Sequence, residues 1–379
     1  MFTLTDEPEI VGVVGGGQLC RMMCEAISPL GLEIICLDPT PDAPARTVCR
    51  DQIVGAFDDP EALSELIQRS DWLTYDIELA APDVISDINE QIPVHPRPET
   101  LHMIEDKLRQ KTRLQNAGIP VPPFTAVDSA EDVRQAVEKH GYPLMIKART
   151  GGYDGRGNMP VHTEEDIQPV LDQLPGALMA EAFVPYDREL SVMGVKQQDG
   201  TAAYPPTETV HEEQILRHTI TPARTSETIK QDARELAHSV LEVMEGRGVY
   251  GIEMFEADGD LFINEIAPRP HNSGHWTIEG ARTSQFEQHL RAVTGLPMGS
   301  TEPHRASVTV NILGTRGERP VHLEGVEELL KQPGVHLHWY GKKQERRLRK
   351  MGHFTVTGED PDNTLQRAME LKQHLTFKP

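Results

Sequence analysis

Two carboxylates spaced to share a cation stand out in the stretch from Tyr250 to Gly295, YGIEMFEADGDLFINEIAPRPHNSGHWTIEGARTSQFEQHLRAVTG. Glu253 and Glu265 lie on either side of an Asp258-Gly259 turn flanked by apolar or β-branched residues, the pattern of a β-hairpin. A two-residue loop would set Glu253 opposite Asn264, and a three-residue loop would set it opposite Glu265. Either register brings oxygen-bearing side chains within about 4.5–5.5 Å at Cβ. Carboxylates completed by substrate phosphates are the usual way a protein holds Mg²⁺. Arg269, His271, Asn272, Ser273 and His275 follow at once and supply cationic and amide groups that would meet an anion. Alone, such a hairpin reads as a solvated surface feature; the segments that accompany it decide otherwise.

The segment TGGYDGRGN, Thr150 to Asn158, holds four glycines within its first eight residues. Backbone amides there can close over phosphate oxygens, and Tyr153, Asp154 and Arg156 put an aromatic face, an acceptor and a forked donor on a lid. Lys147 lies on the strand before the lid and Lys107 on an earlier helix. In MAEAFVPYDREL the backbone of Glu181 to Val184 could offer a purine edge one acceptor and one donor, and Glu189 could accept from ribose hydroxyls. The turn Gly15-Gly16-Gly17, followed by Cys20 and, about twenty residues on, by Asp38, approaches the dinucleotide fingerprint and makes a nicotinamide enzyme an alternative. Against that, Cys20 stands where glycine or alanine lets helix and strand pack closely, and the amides of such a turn bind any phosphate. Finally, KKQERRLRK, Lys342 to Lys350, carries six cations and one acid in nine residues. In an acidic chain that reversal fits a phosphate-bearing substrate.

The elements that must position these groups are legible in outline. IVGVV at 10–14, the glycine turn and a helical pattern from Gln18 open a βαβ unit, with a second strand closing at Asp38. A helix over 61–69 and a strand over 72–77 complete a small α/β unit, and His95-Pro96-Arg97-Pro98 reads as a linker. A helix is expected from Glu99 to Ala117, stopped by Gly118 and the prolines beyond it. A helix near 129–140, a strand over 143–148 and a strand ending near Val184 flank the lid. Ser284 and Glu287 form a capping box for a helix that buries Phe286, Leu290 and Val293 and ends at Gly295. Residues 301–379 bring further strands, including SVTVNILG and a core strand at His336 to Trp339. No internal repeat or low-complexity tract is present.

Composition bounds the answer further. The 379 residues (42.3 kDa) suffice for two or three domains. With 59 acids against 37 Lys and Arg, the net charge of −22 argues against nucleic acid as a partner and fits a salt-tolerant source. The four cysteines, Cys20, Cys24, Cys36 and Cys49, lack CxxC spacing and read as reduced, mostly buried thiols. The acidic start MFTLTDEPEI is unlike a secretory signal, and no run of 18 apolar residues suggests a membrane span.

Together these segments resemble the ATP-grasp enzymes and, more narrowly, the 5-(carboxyamino)imidazole ribonucleotide synthases of purine biosynthesis. The likeness rests on GVVGGGQL, TYDIE at 74–78, DKLRQK at 106–111, IKARTGGYDGRGN, EAFVPYDRELSV, HWYGKKQERRLRKMGH and, most specifically, NEIAPRPHNSGHWT. Biotin carboxylase and peptide-forming ligases share the general fold without that last string. The resemblance implies an N-terminal Rossmann-like α/β preATP-grasp domain over 1–100, an ATP-grasp domain over 101–300 with its lid at about 118–184, and a small β-rich C-terminal domain over 301–379. It implies that ATP phosphorylates bicarbonate to carboxyphosphate, which delivers CO₂ to the exocyclic amine of aminoimidazole ribonucleotide.

By position, ATP would be held by Lys107, Lys147, Gly152, Tyr153, Asp154, Gly155, Arg156, Gly157 and Asn158, by Glu181, Ala182, Phe183 and Val184, and by Glu189, His211, Asn264 and Glu265. Mg²⁺ would sit on Glu253 and Glu265. Arg269, His271, Asn272 and His275, with Arg156 from the lid, would surround bicarbonate and carboxyphosphate. The ribonucleotide would meet Gly17, Gln18, Leu19, Glu78, Tyr153, Asp154 and Arg156, with Lys342 and Arg349 at its phosphate. A cytoplasmic homodimer is implied, without nucleic acid or membrane partners, and functionally coupled to a mutase that consumes the unstable product. Three departures stand out: Cys20 for the usual glycine, Asp76 for glutamate, and Arg347-Leu348 for a Pro-Gly turn. A formate-dependent glycinamide ribonucleotide transformylase shares the architecture, but the HWYGK segment argues for the imidazole enzyme. A silent nucleotide-binding scaffold would have lost a metal acid or Lys147, and both are present.

Overall fold

The apolar run at 10–14 is the strand Ile10–Val14, and its burial follows from its place inside a parallel sheet ordered Asp51–Val54, Glu33–Asp38, Ile10–Val14, Trp72–Tyr75. This is a computed structural model that describes residues 8–78, 82–88, 91–151, 157–317 and 319–378. On one face, Leu19, Met22 and Met23 of the helix Gln18–Ile27 pack with Phe286, Leu290 and Val293 of the helix Gln285–Thr294. That packing fastens the chemistry-bearing hairpin region to the N-terminal sheet. On the other face, Leu63 and Leu66 of the helix Pro60–Gln68 cover Ile35 and Leu37. The turn between strand and helix requires glycine: Gly15 has φ +107°, and a Cβ there would lie 1.7 Å from Asp76 Oδ1.

Where one helix was expected over 99–117 there are two, Pro98–Glu105 and Lys107–Asn116, broken at Asp106. Asp106 takes extended backbone geometry, and its carboxylate accepts from the N–H groups of Leu108 and Arg109, capping the second helix. An antiparallel sheet ordered Phe124–Val127, Leu178–Ala182, Leu144–Ala148, Asn158–Val161 follows. Its strands pack with the helices Ala130–His140 and Ile167–Gln173.

Nine of the remaining strands form one antiparallel sheet, and Arg319–Pro320 with Gln344–Glu345 and Leu323–Glu324 with Thr376–Phe377 form two small two-stranded sheets. The order in the large sheet is Asp260–Ala267, Gly248–Ala257, Arg188–Gln197, Thr207–Glu212, Ile215–Thr221, Ala306–Leu313, Lys350–Gly358, Val335–Trp339, with Gly200–Ala203 paired to Arg188–Gln197. The C-terminal strands therefore continue the sheet that carries Glu253 and Glu265, because Ile215–Thr221 pairs directly with Ala306–Leu313. The strand expected in the core at His336 to Trp339 lies at the sheet's edge, with His336 exposed and Leu337 and Trp339 only partly buried. The helix Glu227–Val243, absent from the elements expected above, buries Ile229, Ala233, Ala237, Val240 and Leu241 at helical spacing against the hairpin strands.

Candidate active site

The hairpin settles its own register. Asp258 (φ 52°) and Gly259 (φ 84°) make a two-residue turn with both residues left-handed, and the ladder runs Ala257–Asp260, Glu256–Leu261, Phe255–Phe262, Met254–Ile263. Continued regularly, it would pair Glu253 with Asn264. A bulge next to Met254 instead takes in Asn264 as the extra residue and brings Glu253 opposite Glu265. Each alternative is right in one respect: the loop is the two-residue one, and the partner, Glu265, is the one assigned to the longer loop.

Around this pair the charges are interlocked. Lys107 Nζ lies 2.7 Å from Glu265 Oε2, and His271 Nε2 lies 3.6 Å from Glu253 Oε1. Burial, reinforced by the Glu265 and Glu189 charges, pushes the Glu253 carboxyl up to about 7 against the pull of His211. Burial acts the same way on Glu265, but Lys107 outweighs it and holds that carboxyl below its usual range. The two carboxyls are thus driven apart, one up and one down, as like charges sharing a site are. Among the described residues no group of three or more His, Cys, Asp and Glu is arranged to hold a metal. Two carboxylates are what a phosphate-bound Mg²⁺ needs from a protein.

Behind the pair stands a second charge cluster. Glu181, 3% exposed, bridges Lys147 Nζ and Lys111 Nζ, each at 2.5 Å. Lys147 belongs to the strand Leu144–Ala148, where it pairs with Asn158 at the far root of the glycine loop. Arg149, at the near root, donates through Nε and Nη2 to the two Asp106 oxygens at 3.1 and 2.5 Å. Its carbonyl accepts from the Lys107 N–H. The expected lid residues Gly152, Tyr153, Asp154, Gly155 and Arg156 lie outside the described residues; Gly157 and Asn158 are described, and the Gly157 carbonyl accepts from the Ala148 N–H. Glu181 and Ala182 end a strand, Phe183 is 47% exposed, and Val184 accepts from the Tyr186 N–H. Glu189 Oε2 and His211 Nδ1 are 2.6 Å apart; burial works against the charge, yet the carboxylate holds the imidazole above its usual pKa.

The anion group is ordered by hydrogen bonds that fix its tautomers. His271 Nδ1 accepts from the Ser273 N–H and faces the Ser273 hydroxyl at 2.8 Å, so its Nε2 carries the proton. Burial, then the Arg269 charge, keep this ring neutral. His275 is fully buried rather than facing the cleft: its Nε2 donates to Asn272 Oδ1, and its Nδ1 accepts from Gln285. It orients Asn272 from behind. Arg269 is paired with Glu78 at 2.5 Å, which ties the hairpin region to the end of the N-terminal sheet.

Many of these groups open on one cleft of about 1430 Å³, larger than a single drug-sized ligand needs. Its wall includes Gly17, Gln18, Leu19, Glu78, Lys107, His211, Glu253, Glu265, Arg269, His271, Asn272, Lys342 and Arg349. Lys147, Glu181 to Val184, Glu189, Asn264 and His275 lie outside that wall. Arg149, Arg346 and Lys350 line it without having been expected there; only the basic run itself pointed to the last two. At the glycine turn three amides are already taken: Asp38 Oδ2 accepts from Gly16, and Asp76 Oδ2 accepts from Gly17 and Cys20. Asp38, which would face a ribose in a nicotinamide enzyme, is spent on Gly16 and Thr40. In the basic segment Leu348 takes a left-handed φ of 62°, Arg349 Nη1 donates to the Gln344 carbonyl and Lys342 Nζ to that of Lys350. All four cysteines are unbridged, Cys49 alone being partly exposed.

Residues 9–105 match the ribonucleotide synthetase preATP-grasp domain, 112–286 the ATP-grasp domain, and 307–367 the phosphoribosylaminoimidazole carboxylase C-terminal domain. A phosphoribosylaminoimidazole carboxylase of Schizosaccharomyces pombe is 41% identical over 373 residues, covering 95% of this chain and 67% of that protein. The crystal structure of N5-carboxyaminoimidazole ribonucleotide synthetase from Thermotoga maritima is similar over 97% of this chain and 99% of its own, with TM-score 0.88 and 42% identity. The Aspergillus clavatus enzyme in complex with ADP and 5-aminoimidazole ribonucleotide gives TM-score 0.89 at 34% identity, over 97% of this chain and 99% of that one.

Proposed function

The chain belongs to the N5-carboxyaminoimidazole ribonucleotide synthases, ATP-grasp ligases of purine biosynthesis, and from that premise we propose that it uses ATP and bicarbonate to carboxylate 5-aminoimidazole ribonucleotide at its exocyclic amine. The observation that carries the reading is the meeting of the Glu253/Glu265 pair, the Arg269, His271 and Asn272 group and the basic segment in one cleft.

A bicarbonate oxygen attacks the γ-phosphorus of ATP, the bond to the β,γ-bridging oxygen breaks, and ADP leaves. Carboxyphosphate then breaks its C–O(P) bond to give CO₂ and inorganic phosphate, and the amine nitrogen bonds to CO₂ with loss of one proton. Arg269 and Asn272 hold the anion. His271, whose Nδ1 is engaged with Ser273, offers it an Nε2–H, so this ring acts as a donor and not as a base. Mg²⁺ on Glu253 and Glu265 would offset charge on the phosphoryl oxygens. Lys107 and Lys147 serve the phosphates of ATP, and Lys342 and Arg349 the phosphate of the ribonucleotide. The working form is a cytoplasmic homodimer whose labile product passes to a mutase. No helix among the described residues is long and apolar enough to cross a membrane.

The test is ADP release in degassed buffer, with and without bicarbonate, in the presence of the ribonucleotide and Mg²⁺. Release should require both, and formate should not replace bicarbonate. Equal release in both buffers, or activity with formate, would overturn the reading.

A further inference from the structure

Lys111 is not among the residues expected to bind a substrate, yet its side chain is deeply buried, 2% exposed. It lies one turn beyond Lys107 on the helix Lys107–Asn116 and faces inward with Gln110 and Leu114. Its Nζ sits 2.5 Å from Glu181 Oε2, 3.4 Å from the Ile263 carbonyl and 3.2 Å from the Asn264 carbonyl. The other Glu181 oxygen holds Lys147. One ammonium therefore joins the helix that starts at Lys107, the strand that carries Glu181 and the bulge that places Glu265.

The charge count gives this junction a consequence. Two lysines and one glutamate leave one positive charge on the cluster. Without Lys111 the buried Glu181 carboxylate would be balanced by Lys147 alone, and that ammonium would be held back from any phosphate. A buried charge stripped of one partner is costly, so the remaining pair would tighten. The Asn264 carbonyl would also lose its donor, loosening the bulge that aims Glu265.

We infer that Lys111 is a positioning residue for ATP: it neutralises Glu181 so that Lys147 keeps its charge for the phosphates, and it pins the Asn264 bulge. This rests on the ATP-site reading above, but its test does not need the carboxylation reaction. The dissociation constant for ADP with Mg²⁺ is measured by titration calorimetry on the full chain, on Lys111→Met, and on the double variant Lys111→Met/Glu181→Gln. Lys111→Met should weaken ADP on the order of 10-fold or more, as when a charge-assisted phosphate contact is lost. The double variant removes one charge of each sign, returns the cluster to a single positive charge, and should bind ADP about 10-fold more tightly than Lys111→Met. A purely structural lysine would lower the unfolding midpoint and leave these dissociation constants alike. Parent-like affinity in Lys111→Met, or a double variant that binds no more tightly, overturns the inference. If Lys111→Met does not fold, the double variant carries the test: affinity near the parent's supports the charge balance, and failure to fold or to bind overturns it. A parent chain that does not bind ADP at all would sink the ATP reading instead.

Discussion

Breaking the fork between Arg149 and Asp106 should cost stability at pH 7 by an amount that can be worked out beforehand. Arg149→Met removes two charge-assisted hydrogen bonds, Nε–Oδ1 at 3.1 Å and Nη2–Oδ2 at 2.5 Å, and leaves the backbone of residue 149 bonded to Lys107 and Ala177. The carboxylate is not orphaned, since the Leu108 and Arg109 N–H groups still donate to it. The loss is therefore the net worth of a charged pair, roughly 1.5–3 kcal/mol, and nearer the lower figure because the Arg149 side chain is 25% exposed. Burial alone would raise the Asp106 carboxyl; Arg149 and the two amides outweigh it and hold it below the usual range. A depressed acid contributes stability above its unfolded pKa and loses it as pH falls through the folded one, so the difference between parent and variant is complete at neutral pH and closes only in acid. The assay is a double-mutant cycle in urea with Asp106→Asn, which keeps a good capping oxygen but loses the charge. A coupling of about 1–2 kcal/mol is expected. Coupling below about 0.5 kcal/mol would refute the account of the lid's root, whatever the activities of the variants.

Other outcomes follow from the same geometry. Glu253→Gln and Glu265→Gln should each lower kcat roughly 10²-fold with the fold intact; near-normal turnover at ordinary Mg²⁺ would remove that residue from the metal site. Lys342→Ala and Arg349→Ala should raise KM for the ribonucleotide and leave KM for ATP unchanged, and Lys147→Ala should do the reverse; single substitutions across Lys342 to Lys350 that all spare the ribonucleotide KM would make the run a solvated face. Leu348→Gly should raise the urea midpoint, by up to about 1 kcal/mol in stability, because a left-handed residue with a side chain is strained and glycine is not; an unchanged or lower midpoint would mean the Leu348 side chain contributes more by packing.

What the sequence disclosed and what it withheld divide along physical lines. Signals local in the chain were readable: the strand at 10–14, the glycine turn, the hairpin and its turn, and the helix ending at Gly295. The helix Glu227–Val243 carries an equally local signal in the spacing of Ile229, Ala233, Ala237 and Val240. The break at Asp106 was harder, because its cause is shared with Arg149, more than forty residues on. The bulge at Asn264 was beyond local reading: the turn residues fix the loop length, but the slip in register occurs where strands meet the Lys111 ammonium and the far side of the sheet.

The same distinction decides how the glycine turn should be understood. Its spacing promised a set of free amides for a phosphate, yet two acids distant in sequence, Asp38 and Asp76, already accept from Gly16, Gly17 and Cys20. Asp76 is 8% exposed, and burial raises its carboxyl to about 7, so it sits where a second anion would be repelled at neutral pH unless a proton or a cation intervened. Lys342, Arg346, Arg349 and Lys350 bring positive charge to the wall of the same cleft. Coulomb attraction therefore favours the basic segment as the first holder of a phosphate, with the turn shaping the pocket around it.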